Sequence, residues 1–117
     1  MSKLKERERL VKNEKNRLLR LFKDTPESKL KTVEGLIIQA ARLRILLDEM
    51  WIDISEKGDV EMFSQSDKQK PYERERPIAK LFNSRDLSYQ RIMKQLTDLM
   101  PEKKSDEDNG GSGSDLI

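Results

Sequence analysis

Apolar positions recur at steps of three and four along residues 77–100, and a proline stands at each end of this segment. Such spacing places the apolar side chains on one face of a helix. Proline suits the first turn of a helix, where its missing N–H has no partner, but it cannot continue one. The pattern therefore predicts a helix over 77–100, with an apolar face made of Ile78, Leu81, Phe82, Tyr89, Ile92, Leu96 and Leu99.

A longer helical pattern covers residues 26–57. Pro26 suits its first turn, and Thr25 or Asp24 before it can cap the free N–H groups of the helix start. Gly58 follows the last periodic residue, as expected for a helix stop. Gly35 lies inside the pattern and marks either a close approach of another helix or a tolerated glycine.

The apolar residues of this long helix do not share one face. Besides the main stripe from Val33 to Ile54, further apolar residues lie outside it, and one partner helix cannot cover two faces. We therefore expect a neighbouring subunit to cover the rest, so that the chain forms a homo-oligomer. The expected interface residues are Leu36, Ile37, Ala41, Ile45 and Trp51.

The spacing of basic and apolar residues over 3–23 predicts a third helix, with the two kinds of residue on opposite sides. Glu6 and Glu8 alternate with its cations, so two interpretations stay open, a phosphate-binding helix and an ordinary solvated surface. If the chain binds DNA, we expect it to use what we call the basic face, which comprises Lys5, Arg9, Lys12, Arg20 and Lys23.

The remaining segments have no helical period. Residues 58–76 are expected to form a loop, in which 60–63 could be extended and Arg74 or Arg76 could contact DNA or another subunit. Residues 102–117 are acidic and rich in glycine and serine, which predicts a disordered tail suited to docking on a second protein.

Charge is unevenly distributed along the 117 residues, although the formal net charge is only +2. Residues 1–24 hold nine Lys/Arg and four Asp/Glu, whereas 101–117 hold two and five. A basic head and an acidic tail favour a polyanion partner at one end and a protein partner at the other. With 34% hydrophobic residues the core is small, which also favours association.

Composition limits the chemistry of the chain. It has no Cys and no His, so disulfides, thiolate nucleophiles and the commonest zinc ligands are absent. Asp48, Glu49, Asp53 and Glu56 could hold Mg²⁺ for nuclease work, but pairs such as Arg44–Asp48 explain the acids as surface ion pairs. We therefore expect no enzyme activity, no metal and no cofactor. No signal-like or membrane-spanning apolar stretch is present, which favours the cytoplasm.

Two segments resemble the small subunit of phage terminases: residues 30–58, a helix that ends near a glycine, and residues 76–101, a proline-headed helix that closes in a Leu-rich stretch before a second proline. The family's second helix often follows Asn, where this chain has Arg76, and the chain lacks a clear N-terminal helix-turn-helix. The resemblance implies a ring-shaped oligomer that recognises viral double-stranded DNA in the host cytoplasm. It also implies that the large terminase subunit, which holds the ATPase and nuclease, is a partner.

Together these features predict an all-α protein. Its expected parts are a basic N-terminal helix (1–25), an antiparallel helical hairpin that forms the oligomerisation core (26–101) and the acidic tail (102–117). The favoured function is that of a terminase small subunit, a non-catalytic DNA-packaging component. The alternative is a structural helical oligomer or adaptor that does not bind DNA.

Overall fold

The computed structural model describes residues 2–101, which form three helices and one short β-hairpin. The predicted acidic tail, residues 102–117, lies outside this range. The elements are α1 (Ser2–Arg20), α2 (Glu27–Lys57), β1 (Val60–Phe63), β2 (Tyr72–Glu75) and α3 (Pro77–Leu99). The three predicted helices are thus confirmed, and the chain is mostly helical.

Proline and glycine set the helix ends almost where the sequence predicts them. Pro77 opens α3 in its first turn. Gly58 follows α2 with a φ of 82°, a conformation that favours glycine, and its N–H donates to the carbonyl of Ile54. The start of α2 differs from the prediction, because no side chain caps it and the Thr25 hydroxyl is buried without a partner.

The α1 helix ends at Arg20, three residues before the predicted end. The N–H groups of Leu21 and Phe22 bond to the carbonyls of Leu18 and Leu19, three residues back instead of four. This tighter spacing is common where a helix ends. It turns the chain towards α2 and leaves Phe22 buried in the core, whereas Lys23 lies in the turn outside the helix.

Both outer helices pack on α2, and each runs antiparallel to it. Near its start, α1 contacts the second half of α2 through Arg7 and Glu49, whereas Phe22, just after α1, packs near Val33 in the first half of α2. The start of α3 likewise lies beside the end of α2, where the ring of Phe82 is next to that of Trp51. The first half of α2 meets both helices in one core, comprising Leu18, Phe22, Val33, Ile37, Ala40 and Leu96. The sequence argument for a neighbouring subunit counted α3 as the only helix of the chain packed on α2, but α1 also packs on it. Part of α2 still stays exposed at Trp51 and Ile52, and the expected homo-oligomer stays a prediction.

The expected loop between α2 and α3 contains an antiparallel hairpin, in which Val60 pairs with Glu75 and Phe63 with Tyr72. One face of the hairpin is closed by its own side chains. The guanidinium of Arg74 lies 3.5 Å from the centre of the Phe63 ring and 2.7 Å from a Glu61 carboxylate oxygen. A two-stranded hairpin is only marginally stable by itself. These cross-strand contacts therefore contribute the stability that the turn between the strands does not provide.

Candidate nucleic-acid interface

The basic face is fully exposed in the structure. Each of its five residues is exposed, and four of them lie on α1 opposite the side that buries Leu18. From Lys5 to Arg20 the helix advances about 22 Å at ~1.5 Å per residue. This length is roughly two thirds of the ~34 Å turn of B-DNA. The face is therefore long enough to contact several phosphates where α1 crosses a duplex.

Acids on α1 neutralise part of this face. The Arg9 guanidinium donates to Glu6, with its Nε 3.1 Å from Oε1. That hydrogen bond is the main cause that lowers the pKa of the Glu6 carboxyl. Among residues 2–101, the ion pairs of α1 engage Arg7, Arg9 and Arg17, whereas Lys5, Lys12 and Arg20 have no carboxylate partner. The cations available to an anion are thus at the two ends and the middle of the face.

The N-terminal half of α1 is held to α2 by a bidentate ion pair. Arg7 places Nη2 2.7 Å from Glu49 Oε1 and Nε 2.9 Å from Oε2. Beside this pair lies a groove of about 330 Å³ lined by Lys3, Glu6, Arg7, Leu10, Glu49 and Ile52. The pair explains why Arg7 can occupy the apolar side of α1. It also fixes the direction in which the basic face points.

The five predicted interface residues differ in how far the protomer itself buries them. Ile37 and Ala41 are fully buried within the protomer and Ile45 is 8% exposed, so their side chains already pack against the chain's own helices. Leu36 is half-buried against the core. Trp51 is 57% exposed, although its ring lies 5.8 Å from that of Phe82. Of the five, Trp51 alone presents a large apolar surface to a second molecule.

Three of the four acids considered for Mg²⁺, all except Glu56, are engaged in ion pairs within residues 2–101. Asp48 lies 3.2 Å from Arg44, Glu49 binds Arg7, and Asp53 binds Arg76. Within residues 2–101, no group of three or more acidic side chains comes together as a metal site would require. The arrangement of these carboxylates matches surface ion pairing.

Sequence reasoning missed the contact that fixes the base of the hairpin. Arg76, proposed as a possible DNA contact, donates from Nη1 to the Gly58 carbonyl (2.6 Å) and from Nη2 to Asp53 (2.7 Å). The hydrogen bond from Arg76 is the main cause that lowers the pKa of Asp53, against a smaller opposing effect of desolvation. The sequence offered one signal, an acid (Asp53) and a glycine (Gly58) at the end of a helix, followed later by an arginine (Arg76). This signal does not specify that these residues pair.

Comparison with protein-family models, curated proteins and solved structures finds no match to this chain. Among the helices of residues 2–101, none is long and apolar enough to cross a membrane.

Proposed function

We propose that this protein is a non-catalytic, DNA-binding component of a viral packaging motor, of the kind represented by phage terminase small subunits. In this role it binds double-stranded viral DNA and a large terminase subunit, and it assembles with copies of itself. The observation that carries the proposal is the exposed basic face of α1, held in place by the Arg7–Glu49 pair. The order of helices also supports it, since residues 30–101 resemble that family.

The chemistry of the basic face suits phosphates better than base edges. Lysines and arginines on one helix side neutralise phosphate charge and release counterions, so affinity falls steeply with salt. Phosphate contacts set position without reading sequence. The α1 face therefore supplies general affinity for duplex DNA.

Charge reversal tests this function directly. The triple variant Lys5→Glu, Arg9→Glu, Lys12→Glu should lose at least about tenfold in affinity for a labelled duplex at low salt, and its salt dependence should flatten. The matched control is Lys80→Glu, Arg91→Glu, Lys94→Glu, which makes the same charge change on exposed positions of α3. Fluorescence anisotropy measures both. Equal losses in the two variants would contradict the assignment, because they would reflect net charge alone.

One observation favours the alternative function, a structural helical oligomer or adaptor without DNA binding. Glu6 pairs with Arg9, and Glu8 is also exposed on α1, so acids interrupt the cations. If the parent protein shows no salt-dependent duplex binding while it self-associates, this alternative replaces the proposal. Sedimentation and anisotropy on the same sample separate the two functions.

A further inference from the structure

The end of α3 lies beside the end of α1. Leu96 is buried in one cluster with Leu18 and Phe22, and Leu99 packs against that cluster. Arg20 lies between Leu18 and Phe22 in the sequence and Lys23 directly follows Phe22, and both cations are exposed. The chain beyond Pro101 therefore begins next to the C-terminal end of the basic face.

The segment that follows Pro101 has the opposite charge to this face. Three consecutive acids, Asp106, Glu107 and Asp108, stand five to seven residues beyond Pro101. Seven extended residues span at most about 23 Å at ~3.3 Å each. Lys12 lies about 12 Å from Arg20 along α1, given ~1.5 Å per residue. The extended length from Pro101 to the acids thus exceeds the separation of these two cations along α1.

The charge environment favours α1 over the other cations at this end of the molecule. Lys94 of α3 already faces Asp98 at 3.5 Å. Lys29 and Lys31 of α2 stand between Glu27 and Glu34 in the sequence. Lys12 and Arg20 have no carboxylate partner within residues 2–101 either, and they share their face with Lys5, Arg9 and Lys23. The larger number of cations on this face favours it over the two lysines of α2 as the site for an acidic segment.

We propose that the acidic segment 106–108 docks on the Lys12–Arg20 part of the basic face of its own chain and competes there with DNA. The competition rests on the proposed function, whereas the docking itself does not. Each exposed ion pair is weak. The tether raises the effective concentration of the segment, so that several weak pairs act together without any partner. As a result, the basic face binds only DNA that offers enough phosphates to displace the segment.

The competition is tested with a tail of unchanged length. The variant Asp106→Asn, Glu107→Gln, Asp108→Asn should bind a labelled 30-base-pair duplex about fivefold to tenfold more tightly than the parent at low salt, as expected for the loss of several exposed ion pairs. High salt should remove the difference, because such pairs are screened. Adding Lys12→Ala and Arg20→Ala to both chains should also remove it. A persistent difference in that background would overturn the proposed docking site.

A second measurement detects the docking without DNA. The chain has no cysteine, so Ser112→Cys provides a single thiol for a nitroxide label. In the full chain at low salt, the label should broaden the NMR signals of the Lys12–Arg20 amides more than it does in the same chain with residues 106–108 neutralised. Equal broadening in the two chains, or broadening centred on Lys29 and Lys31, would overturn the proposal.

The two measurements separate the inference from the function on which the competition rests. If the label shows docking but neither the parent nor the tail-neutralised variant binds the duplex, the DNA-binding function fails and the docking stands. If the charge-reversed α1 variant loses DNA affinity while neutralising the tail changes neither affinity nor broadening, the docking fails and the function stands.

Discussion

Leu96 is the residue of α3 on which the core depends most directly. Its side chain is 2% exposed and contacts the cluster that joins all three helices. Leu96→Ala should lower the free energy of unfolding by about 2–5 kcal/mol, because it leaves a cavity in a packed core. Leu87→Ala is the matched control, since Leu87 is 54% exposed and its truncation should change stability by less than about 0.5 kcal/mol. Urea unfolding measures both, and similar losses would contradict the packing described.

Asp53 should make stability depend on pH. Its pKa is lowered in the folded protein, chiefly by the hydrogen bond from Arg76. A lowered pKa contributes stability above the unfolded value of about 3.9, and this contribution is lost as pH falls through the folded value. Asp53→Asn should therefore reduce the urea midpoint at pH 7, and the gap to the parent should close in acid.

The control for this pH dependence is Asp48→Asn. Asp48 also pairs with an arginine, but both side chains of that pair are about half exposed. Exposed pairs contribute little to stability. A gap for Asp53→Asn that stays constant from pH 7 to acid pH would contradict the role given to its charge.

Single residues also show which contacts a sequence can predict. The burial of Leu18 follows from the helical period of α1, whereas Phe22 is buried by the tighter turn that follows the helix. Arg7 and Glu14 interrupt that period, and only the structure shows Arg7 bound to Glu49, 42 residues away, and Glu14 bound to Arg17. The pair of Arg7 and Glu49 joins residues too far apart in sequence to leave a local signal. For this reason the packing of α1 on α2 was not predicted.

At the scale of elements, Gly35 in the interior of α2 and Gly58 at its end should respond in opposite ways to substitution by alanine. A Cβ at Gly35 would meet nothing within 4 Å, whereas Gly58 has a φ of 82°. Gly35→Ala should raise the free energy of unfolding by about 0.5–1 kcal/mol, because alanine favours a helix interior. Gly58→Ala should instead destabilise, because alanine is strained at that φ. Thermal unfolding followed by circular dichroism distinguishes the two, and a destabilising Gly35→Ala would point to a close contact between copies.

The helices were predictable, whereas of the hairpin the sequence indicated only that 60–63 could be extended, as β1 is. Each helix has many periodic residues, and proline or glycine stands at four of the six ends. The strands have four residues each, too few for alternation to be decisive. Their stability comes from cross-strand contacts of Arg74 and from the bond of Arg76 to Gly58, which depend on pairing and not on period.

At the scale of the whole molecule, two substitutions separate folding from self-association. Ile45→Glu should unfold the protomer, because a charge without a partner in a buried site costs several kcal/mol. Trp51→Glu should leave the helical circular dichroism signal intact, since Trp51 is largely exposed, and should reduce the sedimentation coefficient if this surface joins copies. An unchanged coefficient would place any contact between copies elsewhere.

The central position of α2 has a consequence for how quickly the chain reaches its native state. Helices α1 and α3 both pack chiefly on α2, and the two strands pair with each other, so every main contact joins neighbours in sequence. Topologies of this kind have a low contact order, and helical domains that share it fold on the order of microseconds to milliseconds. Each helix can dock as soon as its neighbour has left the ribosome. The chain can therefore acquire its structure during synthesis, one hairpin at a time.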